Sequence, residues 1–441
     1  MFADLARGCA AASSTKKENI MKILVVGSGG REHAIALKLK ENPAVEEIFA
    51  APGNGGMAAF CTNVGVKATD VEGMVAFAKE AGVDFAVVTP DDPLVLGMAD
   101  AMEAAGIPAF GPSKAAAVIE GSKVFSKNLM KKYGIPTAKY ETFDDEAAAV
   151  AYLKAQNVYP AVVKADGLAL GKGVIIAKNE QEAVDAVHSM MSDRVFGESG
   201  SHVVIEEYLE GPEVSVLSFT DGQTLVPMIS SKDHKRALDN DEGLNTGGMG
   251  TIAPNPYYTP EIAKRCMEEI FLPTMAAMNA EGRTFKGCLY FGLMITRDGP
   301  KVIEYNCRFG DPETQVVLPL LKSDLLTIFQ AVRDGRLSEV PVEFSDESAA
   351  CVIMASGGYP QKYRTGYEIS GLDGMGQAEG VTVYHAGTKL EGGKFFTSGG
   401  RVLGVTAVGK DRAEALAKSY AAVEKISFAD AHYRRDIGRI R

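Results

Sequence analysis

The segment KILVVGSGGREHAIALKLKEN, residues 22–42, decides the first part of the fold. Its apolar, β-branched run KILVV predicts a strand, GSGGRE predicts a turn, and HAIALKLKEN has the apolar spacing of a helix. Two more strand patterns follow at EEIFA (46–50) and DFAVVT (84–89), with the helix-like VEGMVAFAKEAG (71–82) between them. Strands that alternate with helices predict a parallel, doubly wound α/β sheet, with its ligand site at the carboxyl ends of the strands.

The composition bounds the class of protein. The 441 residues predict roughly three structural units, and 46% hydrophobic with 23% charged residues is typical of a folded globular chain. The 57 acidic residues outnumber the 46 Lys and Arg, and the net charge of −11 excludes a broad surface for nucleic acid or anionic lipid. Apolar runs are too short to span a bilayer. We expect a soluble monomer that binds neither nucleic acid nor membrane.

The cysteines and the first twenty residues bear on the compartment. The six cysteines are scattered without a C-x-x-C pair, so the sequence predicts neither a disulfide framework nor a zinc cluster, and we expect a reducing, cytoplasmic location. Residues 1–20 contain no seven-residue apolar stretch. We interpret them as a disordered leader rather than a secretory signal, with Met21 as the natural start.

The pattern changes after Gly111-Pro112. The segment AVVKADGLALGKGVIIA (161–177) predicts two strands joined as a glycine-rich hairpin, followed by a helix near residues 180–191 and the strand HVVIEEYL (202–209). A third region begins near Ser348. It carries strand patterns around residues 351–355, 381–385 and 402–408 and a helical pattern over residues 411–426.

The first glycine cluster, residues 27–32, resembles the beginning of a dinucleotide-binding turn. Glu32 replaces the third glycine of that motif, and no acidic residue follows EEIFA to bind a ribose hydroxyl, so a nicotinamide site is disfavoured. The three strand-end loops could instead cradle a sugar phosphate. The phosphate would lie on Gly29, Gly30 and Arg31, and Asn54 and Asp92 would contact hydroxyls or an amine. Three ordinary turns are the alternative.

The second glycine cluster, KADGLALGKG (164–173), places two lysines around a hairpin tip. Glycine-rich backbone and ammonium groups suit a polyphosphate, although the spacing differs from a Walker A loop. For Lys172 the alternative is a flexible surface hairpin. Lys164 ends an apolar strand, where an unpaired ammonium group would be costly to bury.

A third cluster follows the strand KVIEYN (301–306). Its two-residue period places Glu304 and Asn306 on one face, and two oxygen ligands suit Mg²⁺ that takes its other ligands from phosphates and water. An exposed alternating strand would give the same pattern. The dense polar loop that follows, RFGDPETQ (308–315), is more than a structural turn needs.

These clusters belong to a longer series of strings in fixed order: GSGGREHA (27–34), APGNGG (51–56), FGPSKAAAVIEGSK (110–123), VKADGLALGKGV (163–174), EEYLEGPEVS (206–215), SKDHKR (231–236), NTGGMG (245–250) and EYNCRFGDPETQ (304–315). From Met21 almost to the C-terminus, the chain closely resembles the glycinamide ribonucleotide synthetases of the ATP-grasp superfamily. The resemblance implies a Rossmann-like domain at 21–122 and an ATP-grasp core at 123–345 with a small mobile lid at about 143–205. An α+β C-terminal domain at 346–441 follows.

The resemblance also implies an activity. Members of this family join glycine to 5-phosphoribosylamine, with ATP and Mg²⁺ or Mn²⁺, through glycyl phosphate, in the second step of de novo purine synthesis. The implied catalytic residues are Lys164, Arg308 and Asp311. The implied ATP contacts are Lys123, Lys164, Gly171, Lys172, Gly173, Glu206, Tyr208, Leu209 and Glu213. The implied substrate contacts are Gly29, Gly30, Arg31, Glu32, Pro52, Gly53, Asn54, Asp92, His234, Lys235, Arg308, Gly310, Asp311 and Glu313. The implied metal ligands are Glu304 and Asn306.

Two departures and three alternatives accompany this reading. Leu244 replaces the proline that the family commonly has before NTGGMG, and GCLYFGLMIT (287–296), the strand expected beside KVIEYN, carries no acidic metal ligand. A nicotinamide-dependent oxidoreductase has only the first turn in its favour. A non-catalytic nucleotide-binding regulator would not need the polar loop at 308–315. A carboxylase or another purine-pathway ligase is the nearest alternative within the superfamily.

Overall fold

The N-terminal part of the chain is an α/β sheet domain. The computed structural model describes residues 20–168, 173–193 and 200–440, so most of the predicted leader lies outside the described residues. Strands and helices alternate as β1 (Met21–Gly27), α1 (Gly30–Lys40), β2 (Val45–Pro52), β3 (Thr62–Asn63), α2 (Val71–Ala81), β4 (Phe85–Val88), α3 (Asp91–Leu96), α4 (Met98–Ala104) and β5 (Ala109–Phe110). The strands pair in parallel in the order β3-β2-β1-β4-β5, which confirms the doubly wound prediction.

A small antiparallel sheet with its own core follows. Its elements come after α5 (Lys114–Gly121) and α6 (Lys123–Tyr133), and they are β6 (Tyr140–Phe143), α7 (Glu146–Gln156), β7 (Ala161–Ala165), β8 (Val174–Ala177), α8 (Glu180–Met191) and β9 (Val203–Glu207). The strand order is β6-β9-β7-β8, and β7 and β8 form the predicted hairpin, although residues 169–172 at its tip lie outside the described residues. Leu153, Val163 and Val187 are buried in a hydrophobic cluster of this region alone, so the region has its own core.

A second antiparallel sheet carries the predicted metal strand. This part of the chain contains β10 (Glu213–Thr220), β11 (Leu225–Pro227), β12 (Lys232–Asp233), β13 (Arg236–Leu238), β14 (Glu242–Asn245), β15 (Gly250–Ala253), α9 (Pro260–Cys266), α10 (Leu272–Ala280), β16 (Gly287–Thr296), β17 (Gly299–Asn306), α11 (Thr314–Val317) and α12 (Leu325–Asp334). The sheet order is β11-β10-β16-β17. In the antiparallel β16–β17 pair, Gly292 lies opposite Glu304, as the sequence predicted for these two strands.

The C-terminal part shares its sheet with the preceding segment. Its elements are β18 (Ser348–Ser356), β19 (Thr382–His385), β20 (Thr388–Glu391), β21 (Lys394–Thr397), β22 (Arg401–Gly409), α13 (Arg412–Val423) and β23 (Ala431–His432). The order β12-β15-β18-β22-β19 brings two strands of the central part into this sheet, because β15 pairs antiparallel with β18. The residues around β12 therefore lie between the central and C-terminal parts of the molecule.

Two features relate to the predicted compartment. Among the described residues, none of the helices combines the length and the apolar character that crossing a bilayer requires. The five described cysteines, Cys61, Cys266, Cys288, Cys307 and Cys351, are all free thiols.

Candidate active site

The first glycine turn is fixed by a carboxylate from its own helix. Glu32 is 1% exposed, and its Oε2 accepts a hydrogen bond from Gly29 N at 2.6 Å. Its Oε1 accepts from Arg31 Nε at 2.6 Å, while Arg31 also donates to Phe309 O at 3.0 Å. Glu32 thus positions both the turn and the Arg31 guanidinium. Because both of its oxygens are occupied by these bonds, it is not free to bind a ligand itself.

The N-terminus of α1 faces the GDPE loop. A Cβ on Gly29 would lie 3.0 Å from Asp311 Oδ2, and a Cβ on Gly30 would lie 2.5 Å from Gln315 Nε2, so this close approach requires glycine. Burial alone would raise the pKa of Asp311, but Arg401, Arg31 and the Arg31 backbone N–H hold it below its ordinary value. The structure therefore brings together two segments that the sequence assigned to the substrate side.

Arg401 from β22 completes this junction, and sequence reasoning missed it. Its NH1 donates to Gly247 O at 2.8 Å and to Asp311 O at 2.7 Å, and its NH2 lies 3.4 Å from Asp311 Oδ1. One guanidinium thus ties the NTGGMG loop to the GDPE loop. Arg401 lies in the string GGRVL (399–403), but a sequence gives no sign of which distant loops it joins.

The second strand-end loop has a positioning role. Asn54 is 5% exposed, and its Nδ2 donates to Ser28 O at 2.9 Å and to His385 O at 2.8 Å, while its Oδ1 accepts from Met57 N. Gly53 N donates to Gly27 O at 3.1 Å. Both amide hydrogens of Asn54 are therefore used by backbone carbonyls, contrary to its predicted contact with a hydroxyl or amine. Pro52, Gly53 and Asn54 align the first two loops.

In the third loop, the neighbouring carboxylate faces the site. Asp92 is exposed, whereas Asp91 at the beginning of α3 is partly buried. Burial raises the pKa of Asp91, but Arg308 and Arg31 outweigh it and hold that pKa below its ordinary value. Asp91, which the sequence analysis did not select, therefore interacts with the site arginines in place of Asp92.

Three lysines and one carboxylate form the predicted nucleotide side. Lys164 Nζ lies 3.0 Å from Glu206 Oε1 and donates to Ile303 O at 3.1 Å, and Lys127 Nζ lies 3.1 Å from Glu206 Oε2. Lys123 donates to Gly167 O at 2.6 Å. Burial lowers the pKa of Lys127 to about 8. Lys127 was not predicted, although it follows Lys123 by four residues and so shares its face of α6.

The remaining predicted nucleotide contacts surround this group. Tyr208 is exposed and Leu209 half-buried directly after β9, and Glu213 begins β10. Gly173 O accepts a hydrogen bond from Ala165 N at 2.9 Å, within the hairpin. Gly171 and Lys172 lie outside the described residues.

Glu304 and Asn306 lie on the same face of β17, beside Lys235. A Cβ on Gly292, in the neighbouring strand, would lie 3.0 Å from Glu304 Cγ, so glycine leaves room for the Glu304 side chain. Lys235 Nζ lies 3.3 Å from Glu304 Oε1 and 3.8 Å from Glu213 Oε2. Lys235 lowers the pKa of Glu304 to about 2, against the opposing effect of burial, so this carboxylate is anionic at neutral pH.

Glu313 and Asp233 form an interacting pair of carboxylates on this side of the site. Glu313 is 4% exposed, and its Oε1 accepts from Tyr290 Oη at 3.1 Å and from Ser215 Oγ at 3.3 Å. Burial and then the charge of Glu313 raise the pKa of Asp233 well above its ordinary value. Asp233 was not predicted. The signal was present, because alternation in an extended strand places Asp233 and Lys235 on one face.

The structure places His234 away from the predicted substrate side. Its Nδ1 lies 3.0 Å from Gly250 O, its Nε2 accepts from Gly438 N at 3.0 Å, and the side chain is buried against the C-terminal segment. Both ring nitrogens are used by backbone groups on the opposite face from Asp233. The geometry thus opposes the predicted contact between His234 and a substrate.

Comparison with known protein families finds matches to all three parts of the chain. Three consecutive family models match, described as "Phosphoribosylglycinamide synthetase, N domain" over residues 21–120, "Phosphoribosylglycinamide synthetase, ATP-grasp (A) domain" over 121–314 and "Phosphoribosylglycinamide synthetase, C domain" over 349–440.

Full-length relatives and solved structures agree with these matches. The chain is 51% identical over 421 residues to a phosphoribosylamine–glycine ligase from Allochromatium vinosum, covering 95% of this chain and 98% of that protein. It is 49% identical to the ligase of the same name from Clostridium acetobutylicum, covering 95% and 100%. A crystal structure of a phosphoribosylamine–glycine ligase from Thermotoga maritima superposes with a TM-score of 0.83 at 33% identity, covering 95% and 100%. A biotin carboxylase from Campylobacter jejuni, at 14% identity and a TM-score of 0.73, shares the fold over 94% of this chain and 93% of its own.

Proposed function

The chain belongs to the phosphoribosylglycinamide synthetase family, and from that premise we propose that it joins glycine to 5-phosphoribosylamine with ATP as co-substrate. It is a phosphoribosylamine–glycine ligase, an ATP-dependent enzyme of purine biosynthesis. The observation that carries the proposal is one junction to which all three parts of the chain contribute, through Arg31, Asp311 and Arg401. The products are glycinamide ribonucleotide, ADP and phosphate.

The nucleotide phosphates are assigned to the lysine side of the site. Lys123 lies at the start of α6 and Lys164 near the end of β7, and the chain that follows Lys164 is rich in glycine. Fixed positive charge in a partly dry site stabilises the charge that develops during phosphoryl transfer. Arg308, with Asp91 and Glu120 beside it, adds a third cation.

The residues of β17 fit Mg²⁺ or Mn²⁺. Glu304 offers an anionic carboxylate and Asn306 an amide oxygen on the same face, and oxygen ligands are those that Mg²⁺ prefers. Among the described residues, no group of three or more His, Cys, Asp or Glu side chains could hold a metal alone, which suits an ion that also binds phosphate oxygens. When bound, such an ion neutralises the charge of the transferred phosphate.

The chemistry proceeds through an activated acid. A carboxylate oxygen of glycine attacks the γ-phosphorus of ATP, the bond from that phosphorus to the β,γ-bridging oxygen breaks, and ADP leaves with the electron pair. Glycyl phosphate is formed, and its phosphate is a good leaving group, whereas the free carboxylate is a poor electrophile. The amine of phosphoribosylamine then attacks the acyl carbon, the carbon–oxygen bond to phosphate breaks, and the new amide nitrogen releases a proton.

The carboxylate pair suits the ammonium group of glycine. Glu313 is buried and Asp233 half-buried, their charges interact, and two like charges close together are unfavourable unless a cation lies with them. Lys235 is engaged by Glu304 and Glu213. We therefore assign the ammonium group to the Asp233 side and the reacting carboxylate to the side of Arg308.

The assay that tests this function measures ADP release with ATP, Mg²⁺, glycine and freshly formed phosphoribosylamine, with each component omitted in turn. We expect release to require both glycine and the amine. In the same preparation, ATP labelled with ¹⁸O in its β,γ bridge should scramble the label into non-bridging positions only when glycine is present. ADP release that ignores glycine would contradict the proposal.

We also propose a monomer that works in the cytoplasm. The five described cysteines are free, as expected in a reducing compartment. Sedimentation of the purified protein tests the first statement.

A further inference from the structure

One buried carboxylate from α5 holds two consecutive residues of the active site. The Glu120 side chain is 8% exposed, and its Oε1 lies 3.0 Å from Arg308 NH2. Its Oε2 accepts a hydrogen bond from Cys307 N at 2.7 Å. Cys307 and Arg308 directly follow Asn306, at the end of β17. Both oxygens of Glu120 thus bind the two residues that immediately follow Asn306, the assigned metal ligand.

In this arrangement the buried Nε of Arg308 has no hydrogen-bond partner among the described residues. Arg308 NH2 is bound by Glu120, and NH1 donates to Phe309 O at 3.3 Å. A buried donor of a guanidinium group is costly to leave unpaired, so a ligand oxygen is its natural partner.

We propose that Glu120 is the positioning residue of this enzyme: it orients Arg308 so that Nε meets a ligand anion, and it fixes Arg308 relative to Asn306. The inference rests on the proposed function, because Arg308 was assigned to the reacting carboxylate. The hydrogen-bonded and ion-paired contacts of Glu120 are with Arg308 and Cys307, so it acts through them. Groups held by such second partners commonly lose roughly 10- to 100-fold in activity when the partner is removed.

The competing interpretation is that Glu120 merely joins the N-terminal part to the core. The chain offers a matched control for that role. Glu103 on α4 binds Arg333 of α12 through two bonds of 2.7 and 2.9 Å, and it accepts one backbone N–H, from Ala109 at 2.9 Å. Glu103 therefore makes the same kinds of bond as Glu120 and joins the same two parts of the molecule through Arg333, but it is more exposed and lies away from the assigned site.

The test compares Glu120→Gln with Glu103→Gln. The glutamine nitrogen cannot accept a hydrogen bond, so Glu120→Gln loses either Arg308 or Cys307 N–H as a partner. We expect kcat to fall roughly 10- to 100-fold in Glu120→Gln and to stay within about 2-fold of the original value in Glu103→Gln, with similar melting temperatures in both. Equal rates in the two variants would overturn the proposal.

A double-mutant cycle separates action through Arg308 from general damage. In an Arg308→Lys background, Glu120→Gln should cost much less than it does alone, because the group that it positions is already altered. Additive losses would overturn the proposal. If Glu120→Gln does not fold, Glu120→Asp keeps the charge and withdraws it by one methylene group, and the same criteria apply.

A crystal structure of Glu120→Gln gives a readout that needs no turnover. The Arg308 guanidinium should leave its original position, and an unmoved Arg308 would refute its positioning by Glu120. This measurement also separates the two proposals. Without any glycine-dependent ADP release by the original protein, the proposed function fails, while the structural result still decides the role of Glu120.

Discussion

Two clusters of charge lie in this site, and they have opposite balance. The lysine cluster consists of Lys123, Lys127 and Lys164; Glu206 pairs with Lys127 and Lys164, and Lys123 donates to Gly167 O. The carboxylate cluster consists of Asp233, Glu304 and Glu313, with Lys235 against Glu304 and the charges of Lys235 and Arg401 acting on Asp233. Buried charge without full compensation is unfavourable for the fold, so each cluster is better explained by what it binds than by stability. The first suits a polyphosphate, and the second suits an ammonium group and a divalent cation.

If the lysine cluster binds the phosphates of ATP, the largest loss of activity on substitution is expected at Lys164. Lys164→Met removes the charge that ends β7 while keeping the volume of the side chain, and Lys127 still pairs with Glu206. We expect kcat to fall roughly 10²-fold or more, because one fixed charge near the transferred phosphate is lost. Steady-state ADP release gives the rate, and calorimetry gives the melting temperature.

Lys132→Met is the control for Lys164→Met. Lys132 is a largely exposed lysine that pairs with Glu281 at 2.6 Å on the surface, and its loss should leave kcat unchanged. If Lys164→Met keeps normal turnover, the lysine cluster does not bind the phosphates.

A smaller but still large effect is expected at Glu304, in the carboxylate cluster. Glu304→Gln removes the anionic metal ligand, and we expect activity to fall roughly 10- to 100-fold, with partial recovery at high Mg²⁺. The Mg²⁺ concentration for half-maximal rate is the measurement. Because Lys235 holds the pKa of Glu304 at about 2, the carboxylate stays ionised down to strongly acid pH, and the Mg²⁺ requirement should not change between pH 6 and 8 through this group. Unchanged Mg²⁺ dependence in the variant would remove Glu304 from the metal site.

A moderate effect on one substrate is expected at Asp233. Burial and Glu313 raise the pKa of Asp233, so the carboxyl group must release a proton before it binds an ammonium group. The KM for glycine should therefore fall as pH rises through that elevated pKa. Asp233→Asn should raise this KM roughly 10-fold or more and remove Asp233's part of the pH dependence, with the KM for ATP little changed. An equal rise in both KM values would contradict the assignment.

Local patterns predicted most of the fold. The alternation of apolar strands and helices identified the parallel sheet around β1, and the paired β-branched runs around residues 164–174 identified the β7–β8 hairpin. The sequence did not predict that β12 and β15 would join the C-terminal sheet, because that pairing depends on contacts between segments about 100 residues apart, such as Ile252 with Ala350. Family resemblance gave the domain order but not this shared sheet.

The site was less predictable, because side-chain partners are set by tertiary structure. The sequence selected Asn54, yet the structure uses both of its amide hydrogens to join loops. It selected Asp92, where the neighbouring Asp91 interacts with Arg308 and Arg31. Arg401 and Glu120 could not be selected at all, since their partners lie 90 and about 190 residues away in the sequence. Two sequence patterns could have helped: the alternation of an extended strand separates Asp233 from His234, and the four-residue spacing from Lys123 adds Lys127.

The smallest effect on activity is expected at His234, one residue from Asp233 but on the other face. His234→Asn loses at least one of the bonds to Gly250 O and Gly438 N, so it should destabilise the fold by about 1–2 kcal/mol at pH 7, while the KM for glycine stays close to the original value. Chemical unfolding and steady-state kinetics measure the two quantities. A glycine KM that rises as in Asp233→Asn would return His234 to the substrate side.

The pH dependence of that destabilisation tests the burial of His234 directly. Burial lowers the pKa of His234 to about 4, whereas an unfolded chain binds a proton at this ring near pH 6.5. As pH falls from 6.5 towards 4, the unfolded state takes up a proton that the folded state does not, so the native protein loses up to about 3 kcal/mol of stability through this residue. Asparagine does not titrate, so His234→Asn avoids that loss. The difference in stability between the two proteins should therefore shrink on acidification and reverse between about pH 6 and pH 5, where the loss through His234 reaches about 1–2 kcal/mol. A difference that stays constant from pH 7 to 4 would mean that His234 binds a proton as easily in the folded protein as in the unfolded chain. Its face of the strand would then be open to solvent, like the substrate face.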